Sequence, residues 1–314
     1  MKAVLWYKSA VLNKVLKHKI NSVGEDEFYK SEHFYAGQKI GKVKDTSKQL
    51  ESLIKSGRPM MAARYGLTEL FVMRSFVCDM TSKMNTSIKQ LEKWSGFFPA
   101  TIGGGRKFTK LMIEDSMLVD YLATNFQPME DYFIKKYMPK EVILAEFRGF
   151  EPWYENTAWT SALKGKKVLV IHPFSETIQS QYAKRDLLFS NKEMLPEFEL
   201  ITIKAVQTSA GEKDNRFGTW FDALDYMYQE TKKYEFDIAL LGCGAYGFPL
   251  AARLKRDGKQ AIHMGGMLQI LFGIKGKRWD EDRIVGPLYN ESWVRPNDVE
   301  KPKNSNIVEG GCYW

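Results

Sequence analysis

Four apolar segments constrain this chain more than anything else in it: KKVLVIH at 166–172, ELITIKAV at 199–206, FDIALLG at 236–242 and KQAIHMGG at 259–266. Each is too short for a helix and too continuously apolar for a half-exposed strand, so each reads as a strand buried on both faces. Helical patterns separate them: SETIQSQYAKRDLLF, WFDALDYMYQETKKY and YGFPLAARLKRDG, with MLQILFGI after the last. Strands alternating with helices of this length predict a Rossmann-like, mostly parallel sheet with helices on both faces, an α/β fold. Such sheets bind ligands outside the carboxyl ends of their strands. The residues at those ends are therefore the first candidates for function: Arg64–Glu69, His172–Glu176, Gln207–Ser209, Gly242–Gly247 and His263–Gly266.

The N-terminal half is less regular. GRPMMAARYG reads as a strand ending in a turn, LTELFVMRSFVCDM as a helix with Thr68 as N-cap, and KEVILAEF as a strand. GFFPATIGGGRKFTK reads as a basic loop, FTKLMIEDSMLVDYLATNF as one helix, and residues 21–50 as loops with a short helix. Residues 3–20 place Val4, Leu5, Val11, Leu12, Val15, Leu16 and Ile20 at helical spacing with lysines between. That pattern fits either a helix packed on the core or a basic amphipathic helix on an anionic membrane surface. The resulting division is an N-terminal helical extension (1–50), an α/β domain (51–285, its nucleotide-binding part about 164–285) and a C-terminal tail (286–314).

A net charge of +8 favours anionic partners, and no nucleic-acid-binding motif is present, so nucleotides and phosphorylated sugars come first. Cys78, Cys243 and Cys312 are scattered and odd in number, which supports neither a disulfide framework nor a zinc site and favours a reducing, cytoplasmic setting. No segment has transmembrane length and composition, and HExxH, EF-hand and GxSxG patterns are absent. GCGAYG, residues 242–247, follows a strand and opens a helix, as a phosphate-binding glycine loop does, yet the next strand ends in His263 rather than in the acid that grips a ribose. It reads as a phosphate or nucleotide platform through Gly242, Gly244, Ala245, Tyr246 and Gly247. His263 and Gly265 stand at the adjoining strand end, and Lys277 and Arg278 form a basic cluster suited to a diphosphate. His172 and Glu176 are candidate acid–base groups.

RYGLTEL at 64–70, KKVLVIHPF, FDIALLGCGAYGFPLAARLKRDGKQAIHMGG and FGIKGKRW together resemble the GT-D class of glycosyltransferases, bacterial sugar-transfer enzymes of polysaccharide assembly. The resemblance covers roughly residues 55–280. It implies a GT-D-like fold and transfer of a sugar from a nucleotide-diphosphate donor to a hydroxyl of a glycan or lipid-linked glycan. The protein would then be cytoplasmic, with peripheral contact at the inner membrane. The family's Asp-x-Glu pair maps to Leu67 and Glu69, so Leu67 stands where the aspartate belongs. Glu69 is then the sole carboxylate for a manganese or magnesium ion, or it is the base that deprotonates the acceptor, with Arg64, Lys277 and Arg278 stabilising the diphosphate beside the turn at Gly66. Tyr65, Phe174, Trp220, Tyr246 and Trp279 are candidates for stacking on a base or sugar. An NAD(P)-dependent oxidoreductase built on GCGAYG and a non-catalytic sugar-nucleotide-binding protein are the alternatives.

Overall fold

The structure, a computed structural model, describes residues 2–154, 158–212, 214–307 and 310–314. Seven parallel strands form its central sheet in the spatial order β5-β4-β3-β9-β8-β6-β7. These are β3 (Met60–Ala63), β4 (Tyr121–Thr124), β5 (Ile143–Glu146), β6 (Lys167–His172), β7 (Glu199–Lys204), β8 (Ile238–Leu241) and β9 (Gln260–His263). The four strands expected in the C-terminal half, and those at Met60 and Ile143, are all present.

The period-2 alternation of each strand feeds two separate cores. On one face Met61, Ala63, Leu169, Ile171, Ala239 and Leu241 meet α4 (Leu67–Val77), α5 (Thr81–Ser95), α6 (Ile102–Ser116), α7 (Glu130–Tyr137), α9 (Trp220–Thr231) and α10 (Gly247–Arg256). On the other, Met60, Ala62, Val168, Val170, Ile238 and Ile262 meet α3 (Val43–Lys55), α8 (Ser175–Tyr182) and α11 (Leu268–Leu271). Both faces being covered is why the inner strands are buried almost throughout, with their polar residues at the strand ends; β7, at the sheet edge, is only half-buried, contrary to the expectation of burial on both faces.

N-terminal to the sheet stand α1 (Lys2–Val23), α2 (Glu25–Lys30) and a hairpin of β1 (His33–Tyr35) and β2 (Gln38–Ile40). The hairpin and α3 replace the expected loops of 21–50. The His33 ring contacts the buried Glu146 carboxylate, which fastens the hairpin to the end of β5.

Three local expectations are corrected. IGGGRKFTK is not a loop but the first turns of α6, with the Thr101 hydroxyl accepting from Gly104 N–H at 3.0 Å. A Cβ at Gly105 would run into Ile88 and Phe76, so the glycine lets α6 pack closely on its neighbours. Arg106 and Lys107 consequently lie on a helix, over Phe76 and Phe221. FTKLMIEDSMLVDYLATNF is not one helix: α6 stops at Ser116, and YLAT becomes the fully buried strand β4. Thr68 is not an N-cap, since Gly66 holds that position and Thr68 lies inside α4.

Trp220 and Tyr65 are core residues. Trp220 is fully buried, stacked on Tyr246 with ring centroids 4.9 Å apart and edge-on to Phe108 at 5.3 Å. Tyr65 is also fully buried, stacked on Phe248 at 5.0 Å. Neither ring is open to a ligand, contrary to the expectation for both. Burying rings of this size contributes roughly 1.5–3 kcal/mol each.

Candidate active site

A cleft of about 210 Å³ opens at the carboxyl ends of β3, β9, β8 and β6. Strand register builds its floor. Ala62 pairs with Ile262, Leu241 with His263 and Ile171 with Leu241. These pairings put Ala63, His263, Leu241 and Ile171 in one row, and in the next Arg64, Met264, Gly242 and His172 stand across the rim, on the α3 side. His263 belongs to the row before it and so faces α10, on the opposite side.

This row explains the glycines of GCGAYG. A Cβ on Gly242 would overlap the His172 ring lying across it, and a Cβ on Gly247 would overlap the His263 ring. Gly244 has φ +58, the left-handed region that favours glycine. Two glycines of the motif therefore make room for histidines, a requirement not visible in the spacing.

His172 accepts a hydrogen bond at Nδ1 from Phe174 N–H at 3.0 Å, which leaves its proton on Nε2. Burial lowers its pKa to about 3, so the ring is neutral and offers an N–H donor. His263 is also lowered to about 3, by burial first and then by the Arg64 guanidinium. Arg64 lies over the Phe147 ring at 4.6 Å; burial lowers its pKa, and Tyr313 and Glu69 counteract this.

Glu69 sits in the first turn of α4 and folds back onto Gly66, whose Cβ, if it had one, would overlap the carboxylate. Gly66 has φ −76, open to any residue, so space and not backbone freedom demands the glycine. Thr68 donates to Glu69 Oε2 at 2.7 Å and lies 2.6 Å from the Ser95 hydroxyl. Burial raises the Glu69 pKa, opposed by the Thr68 bond and by Arg64. Glu69 is the one side-chain carboxylate among the described residues lining the cleft.

The tail closes the other side. Gln269 donates to the Tyr313 carbonyl at 3.1 Å, and Arg278 N–H donates to the Cys312 carbonyl at 2.9 Å. The Tyr313 ring covers Gly266, where a Cβ would overlap it, and Arg278 lies 4.9 Å over the same ring. Trp314 meets Phe174 edge-on at 6.1 Å.

Of the expected site residues, Arg64, Gly66, Glu69, His172, Gly242, Gly244, Tyr246, His263, Gly265 and Arg278 line the cleft. Glu176, Ala245, Gly247 and Lys277 are not among its lining residues. Glu176 faces Lys204 at 3.5 Å, and Lys277 reaches the Gly310 carbonyl at 3.4 Å. The N-terminus of α8 is occupied: the Glu300 carboxylate from the tail accepts from Glu176 N–H at 2.8 Å and from the Thr177 hydroxyl.

Thr208, within the expected segment Gln207–Ser209, also lines the cleft, as do Trp94 and Ser95, which were not foreseen. Trp94 and Ser95 end α5 rather than a strand. They reach the rim because Gly96, with φ +75, turns the chain there and Thr208 donates to its carbonyl at 2.6 Å. Among the described residues, no group of three or more His, Cys, Asp or Glu side chains converges, and no helix is long and apolar enough to cross a membrane.

No protein-family model and no curated protein matches the chain. Two solved structures are similar to it. One is described as "the highly conserved domain of unknown function 1792" with "a distinct glycosyltransferase fold". It aligns over 82% of this chain and 95% of its own, at 13% identity and a TM-score of 0.42. The other, a selenomethionine-substituted structure of the same domain, covers the same shares at 12% identity and a TM-score of 0.43.

Proposed function

We propose that the protein is a glycosyltransferase that moves a sugar from a nucleotide-diphosphate donor to a hydroxyl of a glycan or lipid-linked glycan acceptor. The observation that carries this reading is the meeting of two arginines, Arg64 and Arg278, with the buried carboxylate of Glu69 in one cleft at the carboxyl ends of the strands. A departing nucleoside diphosphate carries negative charge, and guanidinium groups match it in charge and geometry. The neutral His172 offers Nε2–H as a further donor to a phosphate oxygen, a role its low pKa suits better than that of a base. Glu69, with its pKa raised, is the base for the acceptor hydroxyl. Trp94 and Tyr313, both partly exposed, are the rings placed to hold a base or sugar face, whereas Tyr246 is buried against Trp220.

The donor set does not fit a resident divalent cation. The cleft offers a single side-chain carboxylate, and that carboxylate already accepts from Thr68. The oxidoreductase alternative loses its main support, because Gly242 and Gly247 are accounted for by the histidines beside them.

Thermal-shift titration with UDP-, GDP- and dTDP-sugars and with NAD(P)H tests the reading, followed by turnover of the best ligand by wild type and Glu69→Gln. Stabilisation by a sugar nucleotide and loss of turnover in the variant are expected. Failure of every sugar nucleotide to bind, or undiminished turnover by Glu69→Gln, overturns it, and binding without turnover against a broad acceptor panel leaves a sugar-nucleotide-binding protein.

A further inference from the structure

We infer that the outer face of α1 docks the protein on an anionic lipid surface. The 22-residue helix is about 33 Å long and apolar on two opposite sides. Its inner side is anchored: Leu16 is buried, and Trp6, Leu12 and Ile20 pack on the core. Its outer side exposes Val4 (54%), Tyr7 (65%), Val11 (44%) and Val15 (60%). At about 100° per residue, these four fall within an arc of about 80°, roughly opposite the anchored side; the exposed His18 falls in the same arc, so the apolar stripe runs from Val4 to Val15. Such a run of exposed apolar side chains on one helix face is a docking surface rather than scattered surface residues.

Charge identifies the occupant. Residues 2–23 contain five lysines and no aspartate or glutamate. Lys8 and Lys19 border the apolar arc on one side and Lys14 on the other, with Lys17 further round toward the anchored side; all four are exposed. A narrow apolar stripe between rows of lysine is the pattern of a helix lying in a membrane interface, with ammonium groups among anionic headgroups. A second copy of this chain is disfavoured, since two such helices would face each other with lysine on every border and no carboxylate to pair with it.

The helix is also tied to the rim of the cleft. The Ser9 hydroxyl accepts from Met129 N–H at 2.6 Å and donates to Asp131. The loop that carries Met129 holds Asn125, whose side-chain amide donates to the Tyr65 carbonyl at 3.1 Å, next to Arg64. A bilayer under α1 would thus stand at a fixed orientation to the candidate site. The lipid contact itself stands on α1 alone and is independent of the reaction proposed for the cleft.

Co-sedimentation of the full chain with phosphatidylcholine vesicles, with and without phosphatidylglycerol, tests the inference. Binding to the anionic vesicles alone, weakening with salt, is expected. Lys8→Gln/Lys14→Gln should lower the partition coefficient about fivefold per lysine, and Tyr7→Asp/Val11→Asp should lower it about tenfold or more. All four positions are exposed, and thermal melts check that the fold is kept; the lysine pair carries the test if the aspartate pair melts early. Absence of binding, equal binding to neutral vesicles, or wild-type binding by the folded variants overturns the inference. So does light scattering that shows a dimer which Tyr7→Asp/Val11→Asp dissociates, because the face would then join two copies.

Discussion

Gly66 and Glu69 share one space: the Glu69 carboxylate fills the position a Cβ on residue 66 would take. The N-cap of α4 and a buried acid of the cleft are thereby fixed to each other. Gly66→Ala should cost about 1–3 kcal/mol in urea unfolding, the range for overpacking a filled site. It should also displace the carboxylate and lower sugar-nucleotide turnover as Glu69→Gln does, by about a hundredfold or more if Glu69 is the base.

Gly242 and His172 are neighbours in one sheet row, and the alanine clash between them is the physical content of the first glycine of GCGAYG. Gly242→Ala should be destabilising alone and tolerated better once His172→Ala has opened the space. A double-mutant cycle by chemical unfolding should give a coupling of about 1 kcal/mol or more. Additivity would show that the glycine serves something other than the ring.

Glu130 supplies a pH signature. It accepts from Asn125 and Gln127 N–H, at 3.2 and 3.1 Å, in the loop after β4, yet burial dominates and raises its pKa to about 7. The folded state therefore keeps a proton that the unfolded chain releases near pH 4.3, and stability from this group is complete below that pH and lost as pH rises through about 7. Relative to wild type, Glu130→Gln should gain about 3 kcal/mol in unfolding free energy between about pH 4 and about pH 8. A flat difference across that window contradicts the assignment.

Glu300 fastens the tail to α8 through Glu176 N–H, the Thr177 N–H and the Thr177 hydroxyl. Its removal leaves those donors buried and unpaired. Glu300→Ala should cost about 1–3 kcal/mol and speed proteolytic cleavage within the tail, read by denaturation and limited digestion.

Much of the sheet was legible because its signal is local. An apolar run bounded by glycine or lysine names a buried strand wherever it occurs, as VLVIH and IALLG do. YLAT escaped because four residues beside a helical pattern carry too little periodicity to separate strand from helix. The ends of β3, β6, β8 and β9 pointed correctly to the cleft, since a parallel sheet brings its carboxyl ends to one edge. Trp94 and Ser95 carried no such signal, because they arrive at the rim through helix packing and the turn at Gly96.

Sequence by itself determined the class of fold, the strand ends that line the cleft, and the lysine-bordered helix at the N-terminus, all of which follow from periodicity within a few residues. Tertiary structure alone decided what those residues face. Register sets His172 beside Gly242 across 70 positions of chain, fixes the proton on Nε2 and lowers the ring's pKa to about 3. It also brings Tyr313 onto Gly266 and Glu300 onto α8. The physical reason is that burial and close approach are properties of contacts between distant segments, and no local pattern records which segment will arrive.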